Sequence, residues 1–164
     1  MRTGATTYSL LVLAFIGFGR LVGEAGTAPL FFQAPASVDE PYIQVTRVTV
    51  EPSTIHKADQ PRRATVVVQV MLRGQAPANS EANVQVGTYS TTPPGINVEY
   101  ENPTRTVPLK KDITVVEFTV EAGSQTASGR VVVAASIGGA TKGIKIHGPE
   151  SPEDWHAELV TQVP

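Results

Sequence analysis

The chain has 164 residues, a formal net charge of −2 and a sequence pI near 5.9, which argues against the clustered basic surface of a nucleic-acid binder. It contains no cysteine, so disulfides, thiolate metal sites and a cysteine nucleophile are excluded. Aromatic residues make up 6%, while 13 prolines and 14 glycines are scattered through a valine-rich chain, a mixture that suits many short strands joined by turns.

The chain begins MRTGATTYSLLVLAFIGFGRLVGEAGTAP, with Arg2 ahead of an apolar run from Tyr8 to Gly19 and small residues after it. That is the form of a secretory signal peptide. The clean run is short for a membrane span, and Arg20 interrupts it. The small-residue rule allows cleavage after Ala25 or Ala28, and Pro29 directly after the second favours the first. Residues 1–25 therefore read as a signal peptide, rather than a buried helix or an uncleaved anchor. The mature form is expected to be secreted, periplasmic or on the cell surface, without a transmembrane span. Residues 26–41 read as a linker, since LFFQAPASVDEP is rich in proline and small polar residues. Phe31 and Phe32 are out of character there.

From Tyr42 to His147 the pattern has period 2, with turn clusters roughly every ten residues, the signature of an all-β domain. In ATVVVQVMLR the even positions Ala64, Val66, Val68, Val70 and Leu72 form the inward set. The same logic turns inward Val84 and Val86, then Ile96, Val98 and Tyr100, then Val116, Phe118 and Val120. Val131, Val133, Ala135 and Ile137 follow, and finally Ile144 and Ile146. The first strand breaks the rule: Ile43 and Val45 share one parity, Val48 and Val50 the other. A single flat strand cannot bury both pairs, so a bulge or a change of sheet is expected there, with Pro52 at an edge. About seven strands over 42–148 predict an immunoglobulin-like antiparallel sandwich. It lacks the Cys–Trp–Cys core of antibody domains.

The stretch SIGGATKGIKI raises the question of a phosphate-binding loop. Gly138, Gly139 and Gly143 do not have P-loop spacing, Lys142 precedes Gly143, and a strand pattern follows instead of a helix start. The glycines are expected to serve a closing hairpin, Gly138 to Gly143. His56, His147 and His156 have no paired metal-ligand spacing. No calcium loop and no nucleophile elbow occurs. Glu99 and Glu101 share one strand face and read as solvent-facing. The expectation is no enzyme, no metal and no cofactor.

In the tail PESPEDWHAELVTQVP, Ser151, Pro152 and Asp154 resemble a helix start, and Trp155 and Leu159 are spaced i,i+4. Residues 149–164 are thus read as a tail with a short helix docked on the domain, the alternatives being an interaction tail or an unstructured end.

VTRVTVEPSTI, ATVVVQVMLRGQAPANSEANVQVGTYS and VPLKKDITVVEFTVEAGSQTASGRVVVAASIGGATKGIKI together resemble the Ig-like repeat modules of bacterial exported and cell-surface proteins. The match runs from Tyr42 to His147, though the first loop, HKADQPRR, is more charged than is usual there and the module stands alone. The resemblance implies an Ig-like sandwich with a binding or structural role. By that topology the loops Gln75–Ala82, Pro103–Lys111 and Gly138–Gly143 share one end, with Lys110, Lys111 and Lys142 on it. The basic cluster Lys57, Arg62 and Arg63 lies at the other end. Partners are expected to be a protein or a surface polysaccharide. The alternatives are a carbohydrate-binding module, with Tyr89 and Trp155 as its aromatic platform, and a subunit that polymerises through edge strands.

Overall fold

The computed structural model describes residues 40–124, 126–151 and 154–162. The expected signal peptide, 1–25, and all but the last two residues of the expected linker lie outside these. Ten strands follow in order: β1 (Tyr42–Glu51), β2 (Thr54–His56), β3 (Arg63–Arg73), β4 (Glu81–Thr92), β5 (Glu99–Glu101), β6 (Thr104–Pro108), β7 (Asp112–Glu121), β8 (Gly129–Ala140), β9 (Lys145–Ile146) and β10 (His156–Gln162). They form two five-stranded sheets, in the orders β5-β7-β3-β1-β9 and β2-β10-β8-β4-β6. Successive strands alternate between the two sheets, and the long strands cross from the first to the second at β3–β4 and at β7–β8, as in an immunoglobulin-like domain. No helix among the described residues is long and apolar enough to cross a membrane.

Parity builds the core. Ala64, Val66, Val68, Val70 and Leu72 of β3 are all buried, as are Val116, Phe118 and Val120 of β7 and Val131, Val133 and Ala135 of β8. The inner faces of both sheets contribute to one apolar cluster. In β1 all four conflicting residues, Ile43, Val45, Val48 and Val50, are buried. The ladder with β3 pairs Val45 with Val70 and Arg47 with Gln69, leaving Thr46 as a bulge that resets the parity. The chain then also changes sheet. Past Pro52, β2 pairs in parallel with β10 in the second sheet and buries Ile55. Tyr100 of β5 and Thr88 of β4 bridge the two sheets through their hydroxyls, 3.0 Å apart.

Four expectations are corrected. The tail past Trp155 is a strand instead of the expected helix: His156–Gln162 is β10, antiparallel to β8, so the domain runs past residue 148. Four-residue spacing puts Trp155 and Leu159 on one face of a helix, but it is also a multiple of the strand period. Leu159 is fully buried and Thr161 nearly so, and Thr161 Oγ1 donates to Ala127 O at 2.6 Å. The open edge of β8 supplies the ladder that a helix would leave empty.

The glycine stretch is not a hairpin either, because β8 and β9 belong to different sheets. Gly138 and Gly139 are inside β8. Gly138 is the residue skipped where Asn83 pairs with Gly139 and Val84 with Ile137. A Cβ on Gly138 would lie 2.6 Å from the Gln85 side chain. Gly143, at φ +93°, makes the turn that carries the chain between sheets. The expected strand over Ile96–Tyr100 shrinks to β5, while β6 forms inside the segment Pro103–Lys111 that the sequence presents as a loop. Ile146 is 46% exposed, not inward, since β9 is a two-residue edge beside β1.

Leu159→Ala is expected to destabilise the protein by about 2–5 kcal/mol, whereas Glu158→Ala on the exposed face should change stability by less than about 0.5 kcal/mol; urea denaturation compares the two. Burial pushes the Tyr100 phenol above its usual value, and the bond to Thr88 partly offsets this. The folded state therefore holds that proton more tightly than the unfolded state. Its contribution is complete below about pH 10 and is lost as pH rises through the folded value. Tyr100→Phe should flatten the alkaline fall in the urea midpoint relative to the parent protein.

Candidate functional site

The loop end is built on two consecutive residues, Ser80 and Glu81. At the end of β3 the chain reverses through Gly74 at φ +80° and Asn79 at φ 58°. Ser80 then folds back, its hydroxyl donating to Pro77 O at 2.6 Å. Ser80 is buried, and its carbonyl accepts from the Leu109 N–H at 2.7 Å, which fixes the connection from β6 to β7. Glu81 fixes the third loop. Its carbonyl accepts from Thr141 N at 2.9 Å, and its N–H donates to Thr141 Oγ1 at 2.8 Å. The three segments expected to share one end thus meet there, with Leu109–Lys111 as the part of Pro103–Lys111 that reaches it. Asp112 at φ 77° and a bond from Lys110 N to Thr114 Oγ1 turn the chain into β7.

Beneath these loops is a hollow of about 650 Å³ lined by Leu72, Gly74, Gln75, Ala76, Pro77, Ser80, Leu109 and Lys111. Its walls are mostly apolar, and Lys111 stands on its rim. Lys110, Lys111 and Lys142 are exposed or nearly so. The ion pairs among the described residues are Arg63–Glu121, Arg130–Glu158 and Lys145–Glu40. The three loop-end lysines are in none of them. The hydrogen bond and charge of Lys145 hold the exposed Glu40 carboxyl below its usual range.

The other basic cluster lies at the opposite end, where Arg63 pairs with Glu121 while Leu72 pairs with Asp112. Trp155 is not with the lysines. Its carbonyl accepts from Ala135 N at 2.8 Å, about 17 Å along β8 from Ala140 at the strand rise. There it meets Tyr89 edge to face, with ring centroids 4.9 Å apart and an interplanar angle of 88°. Tyr89 is the residue skipped between the pairs Thr88–Val133 and Ser90–Val132, and it is 68% exposed. His156 also packs on Trp155, with ring centroids 4.9 Å apart, and its buried Nδ1 has no hydrogen-bond partner among the described residues.

The remaining candidates separate. His147 stacks on Tyr42 at 4.2 Å, and the His56 N–H bonds Asp59 Oδ2 at 2.6 Å. Glu99 and Glu101 are exposed on β5. No group of three His, Asp or Glu side chains among the described residues is placed to hold a metal ion. Sequence reasoning missed the Ser80–Glu81 hub. Its only trace is a serine three residues after a proline in a polar loop, a turn signal that many loops share.

No protein-family model matches the chain, and no curated protein matches it. Among solved structures it is similar to the apo form of the Calx CBD1 domain, at 15% identity and a TM-score of 0.42, over 74% of this chain and 99% of that domain. It is also similar to part of the alkylpurine DNA glycosylase AlkC of Pseudomonas fluorescens bound to DNA containing an abasic-site analogue. That likeness has 13% identity and a TM-score of 0.36, over 76% of this chain and 31% of that enzyme.

Thr141→Val removes the hydroxyl that accepts from Glu81 N and is expected to cost about 1 kcal/mol. Amide exchange at Glu81 and Leu109 should accelerate, while exchange in the centre of β3 follows only the global change.

Proposed function

We propose that this chain is an exported, non-enzymatic Ig-like module of the cell envelope or extracellular space that binds a partner protein with its loop end. The observation that carries this reading is the Ser80–Glu81 hub. Two adjacent residues tie three connections into one surface through backbone bonds, so little conformational entropy remains to be lost on binding. The surface combines an apolar hollow that Lys111 helps to line with the exposed Lys110 and Lys142, and none of the three is in an ion pair among the described residues. It fits an apolar side chain flanked by carboxylates. Clustered loops on a rigid scaffold are a frequent location of binding sites, and the sequence form of residues 1–25 supports export.

A second reading has one observation in its favour. Tyr89 and Trp155, far apart in sequence, meet on the second sheet, so a polysaccharide could pack on the exposed Tyr89 ring. Titration of Trp155 fluorescence with a polysaccharide panel, and its loss in Tyr89→Ala, tests that reading.

The test of the first reading is amine crosslinking in native envelope and culture fractions, followed by mass spectrometry. Partner crosslinks are expected to concentrate on Lys110, Lys111 and Lys142, and the recovered chain to begin at Gly26. Replacing the three lysines by glutamate should weaken co-purification of the partner by about tenfold or more, about 1.4 kcal/mol in total. Crosslinks confined to Lys57 would place the contact at the other end and overturn the proposal.

A further inference from the structure

One strand edge of the domain is open over most of its length. β7 pairs with β3 from Asp112 to Glu121, but on its other side β5 reaches only Thr119 to Glu121. From Asp112 to Phe118 the position beside β7 holds no strand among the described residues. An edge of this kind presents unpaired N–H and C=O groups to whatever approaches.

Several other edges are protected in recognisable ways. β2 has three residues and β9 two. β1 beyond β9 carries the Thr46 bulge and Arg47. β6 ends in Pro108 and bears Arg105. The open part of β7 has no bulge and no proline, and its charges are the carboxylates of Asp112 and Glu117 rather than a lysine or arginine. Its register with β3 is unbroken, and the sequence ITVVEF contains no glycine, proline or lysine. Its outer face shows Ile113 at 49% and Val115 at 55% exposure, where a solvent-facing strand would carry polar residues. Beside the edge, between β7 and β6, runs an open groove of about 760 Å³ with Val107, Val116 and Glu117 in its lining. The Arg105 guanidinium lies over it, 5.4 Å from the centre of the buried Phe118 ring.

We propose that this lane takes an extended peptide segment of a partner protein as an added strand of the first sheet, antiparallel to β7. The groove states the chemistry of that segment. Residues facing inward meet Val107 and Val116 and are small or β-branched apolar. A carboxylate at one inward position faces Arg105. Residues facing outward cover Ile113 and Val115 and are β-branched. A second copy of the whole domain fits less well, because the inward side chains of its own β7 are already buried in its core and leave the groove unfilled.

The probe is a synthetic seven-residue peptide alternating valine and threonine with one central aspartate. Two twins are N-methylated on one or the other alternate set of backbone amides. Added to the full-length protein at about 1 mM, the scale of a weak complex, the parent peptide should slow amide exchange in residues 112–118 and leave the loop end unchanged. One twin should bind and the other fail, since only one set of amides faces β7. Ile113→Lys with Val115→Lys, both at exposed positions, should weaken binding about fivefold through the lost cross-strand pairs. Arg105→Glu should transfer the preference from the aspartate peptide to its lysine counterpart. No protection by the parent peptide, or equal binding of both twins, overturns the proposal. So does a concentration-dependent dimer, seen in sedimentation, that Val115→Lys dissolves, because the occupant would then be a second copy.

Discussion

Parity governs this protein. In a two-layer sandwich a strand turns every second residue to the core, and an extra residue in the backbone resets that alternation. Three such places are visible, at Thr46, Tyr89 and Gly138. The first lets β1 bury all four of its conflicting apolar residues. The second turns Tyr89 out of the domain and onto Trp155. The third brings Gly138 against Gln85, whose exposed side chain would have to move aside for a Cβ. The bulge in β1 thus follows from the core, and the one at Tyr89 leaves an exposed aromatic surface.

Alternation made much of the first sheet legible from residues alone. β3, β7 and the conflict within β1 could all be read, because Val66, Val68 and Phe118 recur on one parity without interruption. β10 could not. Trp155 and Leu159 fit a helix and a strand equally, and local sequence contains nothing about the vacant edge of β8 that decides between them. β6 was hidden for a related reason: TRTVP alternates weakly and is almost wholly exposed, so it is a strand only because β4 lies beside it. The assembly of three loops at one end was readable from topology. The bonds that lock them, at Ser80 and Glu81, were not, because they join backbone groups that every residue possesses to each other and to the hydroxyls of Ser80 and Thr141, whose partners are distant in sequence or unmarked in the loop.

The two ends of the domain differ in character. At one, a mostly apolar hollow with Lys111 in its lining is held by backbone bonds, and Lys110, Lys111 and Lys142 are in no ion pair among the described residues. At the other, Arg63 is matched by Glu121, and the segment around Arg62 is tied to neighbouring backbone through Lys57 O and Ala122 N. Compensated charge contributes little to stability at an exposed site, and it also leaves little to attract a partner. The asymmetry is therefore one of available interaction rather than of charge count.

The parallel pair of β2 and β10 has a mechanical consequence. The chain arrives through Glu40 and Tyr42, beside Arg73 and the loop end, whereas Gln162 bonds Lys57 N at the far end. β1 and β2 run from the first end towards the second, and β10 runs alongside β2 in the same direction. A pull applied at Glu40 and Gln162 slides these two strands lengthwise past each other. Their bonds then bear the load together instead of opening one at a time. A domain anchored at one end and loaded at the other would resist extension through this short patch before any part of its core was exposed.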